Sequence, residues 1–212
     1  MEITAAQVMR LRDKTGAGVM DCKAALVATN CDIEKAVDHL RKSGVLKAAM
    51  KADRPTGDGL MVSYVHPGSK LAVLVEINCE TDFVARTEQF QTFARDIAMH
   101  IAAQNPLVVA REDVPGAVLE KEREIYTEQA RATGKPENVL DRIVDGRVDK
   151  YYAEACLLEQ PFVKNTDITV DALVKQMIAS FGENIRIRRF VRMKLGEELP
   201  GTEKPASDDC GV

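Results

Sequence analysis

The sequence contains few aromatic residues and no tryptophan. Aromatic residues make up 5% of its 212 residues, whereas hydrophobic residues of all kinds make up 45%. A core with few rings must be built mainly from Leu, Val, Ile, Ala and Met, which favours packing between helices. The length suits one large domain, or a small domain joined to a larger one. We therefore expect a helix-rich fold with a substantial core.

Long apolar runs and paired cysteines are also absent. No stretch of 18 apolar residues could span a membrane, and the N-terminus has the pattern of an amphipathic helix rather than a signal peptide. The cysteines are odd in number and form no C-x-x-C pair, which is a poor basis for a disulfide framework and favours a reducing compartment. They are Cys22, Cys31, Cys79, Cys156 and Cys210. The sequence therefore predicts a cytoplasmic protein without a membrane partner.

Sites for metals, cofactors and nucleic acids are not indicated. The three histidines, His39, His66 and His100, are scattered and have no nearby cysteine partners, so we expect no zinc site. The net charge of −4 lacks the basic excess that direct nucleic-acid binding requires. Gly16-Ala17-Gly18 is neither preceded by a strand nor followed by Gly-Lys-Ser/Thr, which predicts a helix-to-helix turn instead of a phosphate loop.

Covalent catalysis is not indicated either. None of the serines lies in a nucleophile elbow, and no pair of carboxylates can be assigned to a cleft. A cysteine and a histidine could still meet in space, and the sequence leaves that alternative open. We expect a protein that is not an enzyme and that uses no cofactor.

Residues 1–53 predict a small bundle of three helices. Thr4 and Gln7 fit a capping box for the first helix, and the second runs from about Val19 to Ala28. Asp32 can cap the third, and Gly44 is placed where a left-handed residue would end it. A further short helix is expected over Val45–Asp53, followed by a domain boundary in the Pro- and Gly-rich stretch that starts at residue 54.

Residues 54–198 predict an α+β core, and residues 199–212 a flexible tail. Strands over Leu60–Val65 and from Leu71 onward would form an antiparallel hairpin, covered by a helix over Thr87–Ala103. Helices on either side of Gly134-Lys135-Pro136 would form a helical hairpin. The fold class is therefore a three-helix bundle followed by a small antiparallel sheet packed by helices.

The last predicted strand, Asn184 to Leu195, alternates between two kinds of residue. We expect Ile185, Ile187, Val191, Met193 and Leu195 to share one face, with Arg186, Arg188, Arg192 and Lys194 on the other. Four cations on one face could bind phosphates, but a solvated outer face that discourages edge pairing is the favoured interpretation.

The stretch from Leu71 to Arg86 organises the rest of the chain. Its first half alternates as a strand, and its second half presents Phe83 on a short connection before the next helix. The aromatic ring could be a buried hydrophobic lid under that helix. It could equally be a rigid wedge offered to a partner, because loops held on a scaffold often carry function. The residues alone leave both alternatives open.

Two segments carry a resemblance to a known family. Asn78-Cys79-Glu80-Thr81-Asp82-Phe83-Val84-Ala85 resembles the central signature of the elongation factor Ts family, and the run from Leu11 to Leu26 resembles its N-terminal signature. Leu157 to Val163 also resembles the C-terminal region of the family. Members of this family are guanine-nucleotide exchange factors for the translational GTPase elongation factor Tu.

The resemblance implies specific roles. It implies that residues 1–53 form a ubiquitin-associated-like domain that docks on the GTPase, and that Thr81, Asp82, Phe83 and Val84 insert near its Mg²⁺ and displace the ion. Lys23 and His100 match stretches that contact the GTPase, although a solvated helix charge and an ordinary half-buried histidine are the plainer alternatives.

The length implies a short form of the family with one core domain. Such a chain is too short for two related subdomains, so the resemblance implies a homodimer that completes the contact surface. The alternative function is that of a nucleic-acid-associated helical protein, which would use the N-terminal bundle and the cationic last strand. The charge of −4 disfavours it.

Overall fold

The computed structural model describes residues 3–132 and 137–197 of the chain. These residues form an α+β fold, as the sequence predicts. The helices are α1 (Ala5–Thr15), α2 (Val19–Ala28), α3 (Ile33–Ala49), α4 (Asp82–Ala85), α5 (Glu88–Gln104), α6 (Gly116–Arg131), α7 (Glu137–Ala155) and α8 (Val170–Phe181). The strands are β1 (Asp58–Val65), β2 (Leu71–Cys79), β3 (Pro161–Phe162), β4 (Asn165–Thr169) and β5 (Ile185–Lys194).

Helices α1 to α3 form the expected N-terminal bundle. The capping box is present, because the Gln7 backbone N–H donates to Thr4 Oγ1 at 3.3 Å and the Thr4 N–H donates to Gln7 Oε1 at 3.0 Å. The bundle has a small core of its own, made of Val8, Leu11, Cys22, Ala25, Leu26 and Ala36. The short helices therefore bury one apolar face each against the other two.

Helix α3 does not end at Gly44, so that prediction and the separate helix over Val45–Asp53 were wrong. The helix continues through Gly44 to Ala49. A Cβ placed on Gly44 would lie 3.4 Å from the Cβ of Ala179 in α8. The glycine therefore permits two helices to approach closely, and this contact joins the bundle to the core.

The main sheet has three antiparallel strands in the order β1-β2-β5. Its buried face packs against α5 and α8, and the predicted hairpin of β1 and β2 is confirmed. The fully buried side chains of this core include Val75, Ile77, Phe90, Ile97, Ile101 and Val170. The core is therefore built mainly from aliphatic side chains, as the composition predicts.

Strand β5 does not keep one alternation along its length, which corrects the predicted faces. Ile77 of β2 pairs with Ile187, but Glu76, the residue before Ile77, pairs with Arg189. Strand β5 therefore carries an extra residue, Arg188, at this point. Such a bulge reverses the alternation beyond it. Val191 and Met193 therefore face outward, 54% and 52% exposed, whereas Phe190 packs on the core.

Helices α6 and α7 pack as an antiparallel pair, as predicted for the helical hairpin. Ala130, Leu140, Val144 and Val148 form the buried centre of this pair. Arg111 fastens its base, since its guanidinium pairs with Glu159 and Asp149 and lies 4.4 Å from the ring centroid of Tyr152. The predicted turn at Gly134-Lys135-Pro136 and the predicted tail over 199–212 lie outside the described residues.

Across residues 3–132 and 137–197, none of the helices has the length and apolar character that crossing a bilayer would require.

Candidate functional site

Phe83 projects from the short helix α4, which connects β2 to α5. Its side chain is 79% exposed, whereas its neighbours Val84 and Ala85 are buried in the core. Helix α4 is therefore anchored by the residues after Phe83 and presents the ring to solvent. This position rules out the buried lid as the arrangement in this structure.

The backbone on both sides of Phe83 is fixed by side chains of the same segment. Asp82 pairs with Arg86 one helical turn later, with 2.8 Å between the carboxylate and the guanidinium. Thr87 caps α5 by accepting the N–H of Phe90 at 3.2 Å, and its hydroxyl donates to the Val84 carbonyl at 2.8 Å. Helices α4 and α5 are therefore joined without a flexible loop.

Cys79 is a structural residue of this segment. Its thiol is buried and lies 3.1 Å from the Thr81 carbonyl, to which it donates. Burial raises the pKa of Cys79 to about 11, so the thiol stays protonated at neutral pH. Burial likewise raises the pKa of Cys156 to about 11. Neither cysteine has the lowered pKa of a nucleophile.

Sequence reasoning missed the residues that hold Thr81. Its backbone N–H and its hydroxyl both donate to the carboxylate of Glu183, at 3.1 and 2.6 Å. Glu183 lies in the turn between α8 and β5, which is 102 residues away in the chain. Gly182 signals the end of α8, but no pattern in the sequence pairs this turn with Thr81.

Lys23 lies on the exposed surface of α2. Met20 and Val27 are on the same side of this helix, three residues before and four residues after Lys23, and both are exposed. We call the three residues the α2 stripe. The contact predicted for Lys23 stays a prediction, and the stripe leaves the lysine accessible to a partner.

His100 is fully buried and does not lie near Phe83. It is 12 residues beyond the start of α5, which corresponds to about 18 Å along the helix. The Val163 N–H donates to its Nδ1 at 3.2 Å, so the proton of the neutral ring is on Nε2, which faces Gln160 Oε1 at 3.0 Å. The ring is thus inaccessible to a partner in this structure, and the predicted contact has no geometric support here.

His100 should make stability depend on pH. Burial lowers the pKa of His100 below its ordinary value of 6.5, so the unfolded chain binds more protons than the folded chain below that pH. The contribution of the neutral ring is complete above about pH 6.5 and is lost as the pH falls towards the lower folded-state pKa. We expect the unfolding temperature to decrease between about pH 7 and pH 5. His100→Gln should show a shallower decrease, whereas identical slopes for both proteins would contradict this assignment.

No cluster of three or more His, Cys, Asp or Glu side chains suited to a metal ion occurs within residues 3–132 and 137–197.

Comparison with known proteins identifies the family. The family model described as "Elongation factor TS" matches residues 32–197. Elongation factor Ts of Geobacter sulfurreducens is 56% identical over 208 residues, which cover 98% of this chain and 95% of that protein. The Geobacter metallireducens protein of the same name is 58% identical, with 96% and 94% covered, and that of Carboxydothermus hydrogenoformans is 56% identical, with 95% and 93% covered. This chain belongs to the elongation factor Ts family, a family of translation elongation factors.

Proposed function

We propose that this protein is a guanine-nucleotide exchange factor that acts on elongation factor Tu in the cytoplasm. The observation that carries the proposal is the exposure of Phe83 on a helix whose neighbouring side chains are buried or paired. A rigid aromatic residue held in solvent contributes little to the stability of its own fold, but it is well suited to enter a pocket on a partner.

The proposed mechanism needs no covalent chemistry. A GTPase holds GDP through backbone amides of its phosphate loop and through Mg²⁺ on the phosphates. Phe83 would separate elements of the GTPase near the Mg²⁺ site, and the carboxylate of Asp82, still 41% exposed beside Arg86, would bring negative charge there. Thr81 and Val84 would hold the two ends of the segment that inserts into the GTPase, Thr81 through its bonds to Glu183 and Val84 through its packing in the core. Displacing the ion removes charge stabilisation from the bound phosphates, so GDP dissociates faster.

The N-terminal bundle supplies a second proposed contact. Met20, Lys23 and Val27 of the α2 stripe combine two exposed apolar side chains with one cation. Such a surface can dock on an acidic, partly apolar area of the GTPase domain. Docking through the bundle and insertion of Phe83 would then be separable, because different elements carry them.

Thermodynamic linkage gives the test of this function. If binding of this protein weakens the affinity of elongation factor Tu for GDP by some factor, GDP must weaken the binding of this protein by the same factor. We expect calorimetric titrations to give a tighter dissociation constant for nucleotide-free elongation factor Tu than for its Mg²⁺·GDP complex. Equal affinities for both forms would rule out exchange through weakened GDP binding, because a ligand without preference shifts no equilibrium.

We also propose that the protein is a homodimer that pairs through the outer face of its main sheet. This face carries Met61 and Val65 on β1, Leu74 on β2, and Val191 and Met193 on β5, all exposed. The strand register places Leu74 beside Val191, and Ala72 between Val65 and Met193, so these residues form one continuous patch. Met61 pairs with Glu76 and lies at the border of the patch. A patch of this kind on a sheet favours stacking against a second sheet.

An ion cluster borders the patch and would limit its pairing to one orientation. Glu76 accepts from Arg188 at 3.0 Å and from Arg189 at 2.7 Å. The Arg189 guanidinium holds the pKa of Glu76 below its usual range, so the cluster stays charged at neutral pH. In a two-fold dimer, the apolar ends of the two sheets would overlap while the charged ends remain in solvent.

A further inference from the structure

The turn between α8 and β5 is connected to the segment that carries Phe83 by reciprocal hydrogen bonds. Glu183 accepts both the backbone N–H and the hydroxyl of Thr81, at 3.1 and 2.6 Å. In the opposite direction, Glu80 Oε1 accepts the backbone N–H of Asn184 at 2.6 Å. Two adjacent residues of one segment therefore bind two adjacent residues of the other.

Thr81 is the N-cap residue of α4, immediately before the helix begins at Asp82. Its backbone is extended, with φ −133° and ψ 154°, and its side chain makes no capping bond to α4 because the hydroxyl is directed to Glu183. The carboxylate therefore fixes both the backbone and the side chain of the residue two positions before Phe83. A four-residue helix has almost no stability of its own, so its direction depends on how its ends are held.

The turn that carries Glu183 is itself firmly placed. Asn184 is buried, and its side-chain amide donates to the carbonyls of Ala52 and Arg54, at 3.1 and 2.8 Å. Lys51 donates to the carbonyl of Gly182 at the other end of the turn. The turn is thus fixed to the segment that leaves the N-terminal bundle, and it gives Glu183 a rigid base.

We propose that Glu183 is a positioning residue for Phe83, which sets the direction of the ring before the GTPase is bound. This inference rests on the proposed exchange function. Glu183 binds Thr81 and would act on the ring only through that residue, so its loss should lower the maximal exchange rate rather than the affinity for the GTPase complex. The affinity would be retained because the α2 stripe and the Phe83 ring are still present.

The kinetic test compares two substitutions of Glu183. Glu183→Ala should lower the maximal rate of catalysed GDP release by about tenfold, the typical effect of losing charge-assisted hydrogen bonds, with little change in the half-saturating concentration of elongation factor Tu·GDP. Glu183→Gln should restore most of the rate, because its carbonyl can accept the Thr81 N–H while its amide donates to the hydroxyl. A Glu183→Ala protein as active as the wild type, or one changed only in half-saturation, would overturn the proposal.

A double-mutant cycle separates positioning from a general effect on the fold. If Glu183 acts through the ring, Glu183→Ala should have no further effect in a protein that already carries Phe83→Ala. Independent, multiplying effects of the two substitutions would show that Glu183 does not act through Phe83 and would overturn the proposal.

A fluorescence measurement tests the same idea without the GTPase. The chain contains no tryptophan, so Phe83→Trp introduces a single reporter at the position of interest. Adding Glu183→Ala should increase the fast local motion in the time-resolved anisotropy of this reporter, and adding Glu183→Gln should not. Unchanged motion of the reporter in the protein with Glu183→Ala would overturn the proposed positioning role of Glu183. The wild-type protein could fail to accelerate GDP release from elongation factor Tu while the anisotropy changes as expected. That result would refute the exchange function but leave the positioning role of Glu183 in place.

Discussion

Replacing Phe83 with alanine is expected to lower the catalysed rate of GDP release from elongation factor Tu by roughly 30-fold or more, the effect of losing a central aromatic contact worth about 2 kcal/mol. The free energy of unfolding should stay within about 0.5 kcal/mol of the wild-type value, because the ring is 79% exposed and leaves no cavity when removed. Fluorescent GDP release and chemical denaturation of the same preparations measure the two quantities.

Leu107 provides a matched control for this prediction. It is also an exposed apolar residue, but it lies beyond the other end of α5, a helix about 25 Å long. Leu107→Ala should therefore leave exchange unchanged. If Phe83→Ala catalysed GDP release at the wild-type rate, the Phe83 ring would have no part in the mechanism. If Phe83→Ala instead lowered the free energy of unfolding by about 3 kcal/mol, the Phe83 ring would be packed inside the dissolved protein.

Replacing Val191 with lysine is expected to weaken the proposed dimer by about 100-fold or more. The two-fold symmetry would bury two lysines in one apolar interface, and each unpaired buried charge costs several kcal/mol. The isolated subunit should tolerate the change, because Val191 is 54% exposed there. Analytical ultracentrifugation over a range of concentrations would follow the shift from dimer to monomer.

Val118→Lys is the control for the dimer prediction, since Val118 is an exposed valine on α6, outside the sheet. It should sediment as the wild type does. A wild-type protein that remains monomeric at high concentration would refute the dimer. A dimer unaffected by Val191→Lys would place the interface on another surface.

Local patterns in the sequence predicted the elements that local interactions determine. The capping box at Thr4 and the alternation of β2 depend on residues close together in the chain, and both are present. The prediction at Gly44 failed because a glycine that ends a helix and a glycine that admits a neighbouring helix look the same in the sequence. Only the approach of Ala179 distinguishes them.

The faces of β5 show a second limit of sequence patterns. The alternation before Arg188 was predicted correctly, but a bulge adds one residue and exchanges the faces of everything that follows. The pairing register with β2 determines this change, and the register depends on the whole sheet. The apolar patch of Val191 and Met193 therefore became visible only in three dimensions.

The candidate site divides in the same way. The exposed ring was one of two alternatives that the residues left open, and packing of Val84 and Ala85 below it decides between them. The hydrogen bonds between Glu183 and Thr81 join segments 102 residues apart, and no pattern in either segment predicts them. His100 was predicted to be at an interface or half-buried, and its bonds to Gln160 and Val163 place it wholly inside.

The most direct test of the central claim is release of a fluorescent GDP analogue from elongation factor Tu at substoichiometric amounts of this protein. We predict that a small fraction of one equivalent accelerates release of the whole nucleotide pool, because each molecule leaves the GTPase when GTP binds and can act again. Release at the uncatalysed rate in the presence of folded wild-type protein would contradict the exchange-factor account.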